Sequence, residues 1–151
     1  MESALSQQEQ YVTMGLGEDV VAAPVHRLME ILELRPISRL PQAPPNILGV
    51  IDVRGQGVLV VDLRTTIGLE ASADTEDTRI VVLTPSEAES AVLGLRVDRV
   101  FEVAVLDSEN LEPPPFAGTG CIKGIGRRSG KFVTVLDLDQ LLHSERNLAA
   151  A

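Results

Sequence analysis

Apolar residues recur along this 151-residue chain in short runs separated by glycine, proline and charged turns. The runs are too short for amphipathic helices and have the length and β-branched content of strands. They predict strands at Gln10–Leu16, Val20–Pro24, Ile47–Asp52, Val58–Val61, Arg79–Leu83, Ala91–Val97, Val100–Val105, Cys121–Ile125 and Phe132–Leu136. Val25 to Leu32 carries apolar residues at 25, 28, 29, 31 and 32, a spacing that suits a helical turn or an irregular strand. Pro36, Pro41, Pro44 and Pro45 hold the next stretch extended, since proline restricts itself and its predecessor. Glycines at 55 and 57 allow positive φ in a tight connection between two strands. Asp62 is placed to cap a short helix, Leu63–Ile67, that Gly68 ends; Asp137 with Gln140 forms a capping box before a second, Leu138–Leu142. Many short strands with turn residues between them indicate small barrels.

The two halves repeat. LGVIDVRGQGVLVVDLRTTI from Leu48 lies without gaps over KGIGRRSGKFVTVLDLDQLL from Lys123, matching Gly49 to Gly124, Gly55 to Gly130 and Asp62 to Asp137. VHRLMEI from Val25 lies over VDRVFEV from Val97, matching Arg27 to Arg99 and Glu30 to Glu102. The blocks keep their order in each half, so two β-subdomains of one plan are expected. Ala71 to Thr78, polar and acidic, is the expected boundary. The first barrel then spans about 20–70 and the second about 79–136, with segments 10–16 and 137–142 packing across them and flexible tails at 1–9 and 143–151. The groove between the barrels becomes a docking surface, and a partly open barrel offers an edge strand.

Composition narrows the function. Hydrophobic residues make up 44%, which argues against disorder, while aromatics are only 3% and tryptophan is absent. The core is therefore aliphatic, and there are few rings on which nucleic-acid bases could stack. A formal charge of −9 repels phosphate backbones and anionic membrane surfaces. A single cysteine, Cys121, has no disulfide mate or metal-site companions and reads as a buried structural thiol. The opening ten residues lack a signal-peptide core, and no apolar run reaches the length of a membrane span, so the chain is expected in the cytoplasm without membrane insertion.

No catalytic or metal-binding constellation emerges. His26 and His143 stand alone, outside any motif that places two ligands on one face. The glycine-rich run Gly118 to Gly130 fails the phosphate-loop test, because three or five residues precede Gly130-Lys131 where four are needed and Phe132 stands where Ser or Thr belongs. Asp137 and Asp139 could pair as acid and base, but Asp137 is better used as a helix cap, like its repeat mate Asp62. No G-x-S-x-G elbow occurs. The chain reads as a non-enzyme with no catalytic residue, metal or cofactor.

Tyr11 to Met14, PVHRLMEIL from Pro24, Arg39-Leu40-Pro41, Ala43-Pro44-Pro45 and ILGVIDVRGQGVLVVDLR from Ile47 together resemble a CheW domain, as do GLRVDRV and VLDLDQLL in the second half. The likeness covers 10–142. It implies a mainly β fold: two SH3-like five-stranded β-barrel subdomains sharing a hydrophobic core, with short helices. It implies a non-catalytic adaptor coupling chemoreceptors to the CheA histidine kinase. The implied partners are the regulatory domain of that kinase, itself similar and so suited to barrel-to-barrel pairing, and the cytoplasmic tip of a receptor. A related adaptor of a pilus-motility or second-messenger pathway is the nearest alternative, and a small ligand-binding or hydrolytic barrel a more distant one. No receiver or kinase domain is present, so the larger CheV and CheA architectures are not expected. The family's glutamate and signature arginine fall on Glu30 and Arg54, with an ion pair implied between them. Leu28, Ile31, Gly49, Val53 and Gly55 are the implied partner-surface companions. Asp52 stands where the family commonly has Asn and Val21 where an aromatic is common, which opens the question of how the turn at Arg54 is held.

Overall fold

The structure, a computed structural model, describes residues 8–84, 92–107, 110–114 and 120–141. Among the described residues the strands are β1 (Gln8–Leu16), β2 (Asp19–Pro24), β3 (Leu28–Glu33), β4 (Ile47–Val53), β5 (Gln56–Asp62), β6 (Arg79–Leu83), β7 (Leu93–Val97), β8 (Arg99–Asp107), β9 (Ile122–Arg128) and β10 (Lys131–Leu136). A 3-10 turn, Val25–Arg27, joins β2 to β3, so the ambiguous 25–32 segment is both predicted things in succession. The helix α1 (Leu63–Thr66) follows Asp62, whose Oδ1 accepts from the Arg64 amide at 3.2 Å. Residues 138–141 are helical after Asp137, whose Oδ1 accepts from the Gln140 amide at 3.2 Å. The expected tails at 1–7 and 143–151 lie outside the described residues, as does His143, whereas Gln8 and Glu9 already belong to β1.

The strands form two five-stranded sheets, ordered β3-β6-β7-β5-β4 and β8-β1-β2-β10-β9. The expected class, a mainly β fold with two five-stranded units around a shared core, is what the chain adopts. The division of the chain differs from the sequence expectation. Residues 79–97 complete the first sheet, and 8–24 are built into the second between β8 and β10. Segment 71–78 is thus a connection inside the first unit. Its polarity reads as a boundary because the residues are exposed, but the chain changes sheets elsewhere, at 25–27 and at Asp98.

The repeat explains the arrangement. Sheet two is sheet one with β8, β1, β2, β10 and β9 in the places of β3, β6, β7, β5 and β4, so the amino-terminal hairpin takes the role of β6 and β7. The register agrees residue by residue: β5 runs parallel to β7 with Leu59 opposite Leu93, and β10 runs parallel to β2 with Thr134 opposite Val21. Isolated bridges, Ser38 with Val50 and Glu112 with Ile125, occupy equivalent places.

Strands β1, β2 and β6 carry apolar side chains on both faces, and β7 carries them on the face it turns to the shared core. Val12, Met14 and Leu16 of β1 join Val21 and Ala23 of β2, Val81 and Leu83 of β6, and Leu93, Leu95 and Val97 of β7 in one cluster shared by both sheets. Val61, Leu63, Cys121, Leu136, Leu138 and Leu141 complete it, the cysteine being buried as expected. The alternate residues Ile80 and Val82 enter the interior of the first unit, with Ile51, Val58 and Val60, while Tyr11 and Ala22 enter that of the second, with Leu106, Val133 and Val135. Strand side chains alternate between faces, so a strand buried on both sides reads as an unbroken apolar run.

Candidate functional site

Glu30 and Arg54 meet although 24 residues separate them. Arg54 Nη1 and Nη2 donate to Glu30 Oε2 at 2.7 and 2.8 Å. Glu30 lies on the edge strand β3 and Arg54 at the tip of the β4–β5 hairpin. The arginine side chain is 71% exposed and the glutamate 27%, so the pair sits at the surface with the carboxylate half sunk.

The hairpin tip is a two-residue turn with Arg54 at φ 52° and Gly55 at φ 84°. Two positive φ values in succession match the twist of the flanking strands. Glycine accepts that conformation freely, whereas a side chain there costs roughly 1–2 kcal/mol. Arginine is thus held in an unfavourable backbone conformation at the point where its guanidinium reaches Glu30. Asp52 stabilises the same turn: its Oδ1 accepts from the Gly55 amide at 2.8 Å, and its carbonyl accepts from Arg35 Nη1 at 3.2 Å. The acceptor oxygen is common to aspartate and asparagine, so the departure at Asp52 leaves a bond that asparagine would also make.

The remaining candidates divide by depth. Ile31 is 42% exposed on β3, near Met29 at 58%, and Gly55 is exposed in the turn. Leu28 packs against the shared core and Val53 against the interior of the first unit. Gly49 is buried, and a Cβ there would stand 2.1 Å from the Ser38 carbonyl oxygen. It permits the close approach through which Ser38 and Val50 exchange backbone hydrogen bonds of 2.8 and 2.9 Å. Glu30, Ile31, Arg54 and Gly55 therefore form the reachable part of the site, and Leu28, Gly49 and Val53 set its shape from behind.

The second unit carries a counterpart that motif reading passed over. Phe101 and Val103 on the edge strand β8 are 49% exposed, Val105 is 56% exposed, and Phe132 is 61% exposed. Phe101 is the repeat mate of Met29 and Val103 of Ile31. Glu102, mate of Glu30, meets Arg128 Nη2 at 3.2 Å beside a turn whose Ser129 and Gly130 repeat the φ values of Arg54 and Gly55. The Arg127 guanidinium lies 4.9 Å from the centroid of the Phe132 ring, within cation–π range. Extending the repeat from residue identities to edge-strand exposure would have found this face.

Where the chain passes from sheet one to sheet two, Asp98 binds both. Arg64 donates to its carboxylate from Nε at 2.9 Å and from Nη2 at 2.7 Å, and the Gly17 amide of the β1–β2 turn donates at 2.6 Å. The Arg64 hydrogen bonds hold the Asp98 carboxyl below the usual carboxylate range despite its burial. Burial pushes the Asp62 carboxyl the other way, against the opposing pull of Arg96. At the other crossover Arg27 Nη1 lies 3.4 Å from Asp139 Oδ1, a pair with the signs reversed. Among the described residues no group of three or more His, Cys, Asp or Glu side chains could hold a metal ion, and no helix is long and apolar enough to cross a membrane.

The model of the CheW-like domain matches residues 10–146. The chemotaxis protein CheW of Helicobacter pylori is 27% identical, over 95% of this chain and 90% of that one; the chemotaxis protein CheW of Klebsiella aerogenes is 28% identical, over 91% and 83%. The crystal structure of the scaffolding protein TtCheW from Thermoanaerobacter tengcongensis superposes with a TM-score of 0.79 at 27% identity, covering 88% of this chain and 91% of that one. The chain belongs to the CheW-like domain family and is a non-catalytic scaffold of chemotaxis signalling.

Proposed function

We propose that this scaffold couples chemoreceptors to a CheA-type histidine kinase, using the Glu30–Arg54 face to dock the regulatory domain of the kinase. The observation that carries the reading is the ion pair itself. A guanidinium held at 2.7 Å from a carboxylate, on a strained turn beside exposed Met29 and Ile31, is a preorganised surface. An exposed pair of this kind adds only about 0.2–1 kcal/mol to stability, so folding alone gives little reason to keep it. The face on β8 with Phe101 and Phe132 offers the second unit an equivalent docking edge, as barrel-to-barrel pairing with a similar domain requires. The receptor's helical tip docks in the groove between the units. Through these contacts the scaffold favours one kinase arrangement over another, and it is recruited from the cytoplasm to receptor arrays.

The test is a reconstituted array of receptor fragment, kinase and scaffold. Arg54→Glu is expected to keep the wild-type circular dichroism spectrum and unfolding midpoint while losing receptor-dependent control of kinase activity. Unchanged coupling in that variant refutes the assignment of this face.

A further inference from the structure

A cleft of about 480 Å³ opens on the first unit, between the Leu34–Arg39 segment and the 71–74 part of the connection to β6. Small-molecule sites commonly have about 300–1,000 Å³, apolar walls and a few convergent polar groups. Leu34, Ile37 and Leu48 supply apolar wall here. The most buried polar residue of its lining is Arg96 of β7, which is 3% exposed. Its Nη1 lies 3.5 Å from Asp98 Oδ1 and 3.7 Å from Asp62 Oδ1, both on the framework. Its other partners belong to the connection: Nε donates to Asp74 Oδ1 at 2.7 Å and Nη2 to the Ser72 carbonyl at 3.1 Å. Asp74 is 53% exposed, and residues 70–77 are exposed throughout. A buried guanidinium is thus closed off, on the cleft side, by a carboxylate carried on a surface loop.

The mouth of the cleft adds two more arginines. Arg39 makes no ion pair among the described residues, and Arg35 donates to a backbone carbonyl. Both line the cleft, on a chain whose formal charge is −9. With Asp74 in place the lining holds three arginines and two aspartates; with Asp74 turned outward it holds three and one.

We propose that this cleft binds a small organic acid with an apolar body, whose carboxylate replaces Asp74 on Arg96 and whose apolar part lies against Leu34, Ile37 and Leu48. Asp74 then acts as a tethered competitor. A group on a short flexible connection has an effective concentration in the millimolar range, so a free acid binds the wild-type chain weakly and binds better once the competitor is neutralised.

The experiment uses calorimetric titration of the full chain with sodium octanoate, octanamide and inorganic phosphate, with hydrogen exchange of 70–78 read alongside. Asp74→Asn is expected to bind octanoate on the order of tenfold more tightly than the wild type. Adding Arg35→Gln and Arg39→Gln, both toward the surface and outside the core, is expected to reverse that gain. Octanamide and phosphate are expected not to bind, and octanoate to raise exchange at 70–78 in the wild type as the connection lifts. Octanamide binding as tightly as octanoate, phosphate binding as tightly as octanoate, no gain from Asp74→Asn, or no binding to Asp74→Asn each overturns the proposal. Receptor–kinase coupling is not a readout, so these outcomes stand apart from the docking assignment.

Discussion

Gly49→Ala tests the geometry behind the proposed docking face most sharply. The added Cβ would meet the Ser38 carbonyl oxygen at 2.1 Å and its carbon at 2.8 Å, atoms of the backbone that cannot swing aside. The position also has φ +143°, a conformation that side chains rarely adopt. To admit the methyl group, the 37–38 segment must lift off β4 and give up the two bonds between Ser38 and Val50, worth about 1 kcal/mol each. Overpacking adds about 1–3 kcal/mol. The sum, about 3–5 kcal/mol, is a large share of the roughly 5–15 kcal/mol that holds a domain together. Two controls calibrate it. Gly124→Ala meets Leu111 Cβ at 2.8 Å and the Glu112 carbonyl oxygen at 3.0 Å, and its φ is not in the left-handed region, so about 2 kcal/mol is expected. Gly55→Ala has φ +84° but open space around it, leaving only the backbone term of about 1 kcal/mol. Urea unfolding followed by circular dichroism suits a chain with no tryptophan and one tyrosine. The order Gly49, then Gly124, then Gly55 is the expected result. A Gly49→Ala variant within about 1 kcal/mol of wild type, or a Gly55→Ala variant that costs as much, would refute the reasoning.

Other perturbations separate the remaining claims. Asp98→Asn breaks a pair whose side chains are 12% and 16% exposed, and should cost about 2–4 kcal/mol at neutral pH. Because the folded Asp98 carboxyl titrates below its ordinary 3.8, the wild-type advantage is full above that value and disappears as pH falls through the lower folded one; paired pH–stability curves check this. Tyr11 is the sole tyrosine, and burial, with the Glu9 carboxylate nearby, pushes its phenol up to about 12; absorbance titration should show no ionisation near 10 while the chain stays folded. Phe132→Asp, at a residue 61% exposed, should leave the unfolding midpoint within about 0.5 kcal/mol of wild type while weakening association with the kinase regulatory domain in a pull-down.

Much of this was legible from residue order. The caps at Asp62 and Asp137 and the buried Cys121 follow from local chemistry, and each sits where that chemistry puts it; the connection expected over Val53–Gly57 closes more tightly, with positive φ at Arg54 and Gly55 and Gly57 already in β5. The meeting of Glu30 and Arg54 came from family likeness, because nothing in the spacing of two charges 24 residues apart implies a contact. The unit boundary was misplaced because a polar, exposed connection looks the same within a unit as between two. The closing role of β1 and β2 lay hidden because the hairpin resembles β6 and β7 only in its apolar alternation. Arg96 escaped notice for a related reason: a charge inside an apolar strand reads as an outward-facing position until a carboxylate from a distant loop is seen to cover it.

The permuted closure has a consequence for how the polypeptide is born. The ribosome delivers residues 8–24 more than a hundred residues ahead of their parallel neighbour, Lys131–Leu136. At about 5–20 residues per second the nascent hairpin waits on the order of ten seconds for that strand. Residues 28–97 meanwhile hold every strand of their own sheet and can close early. Translation halted before residue 131 would leave a finished first sheet beside a hairpin paired with β8 along β1 but with the β2 edge uncovered, an intermediate that a holdase chaperone is suited to guard.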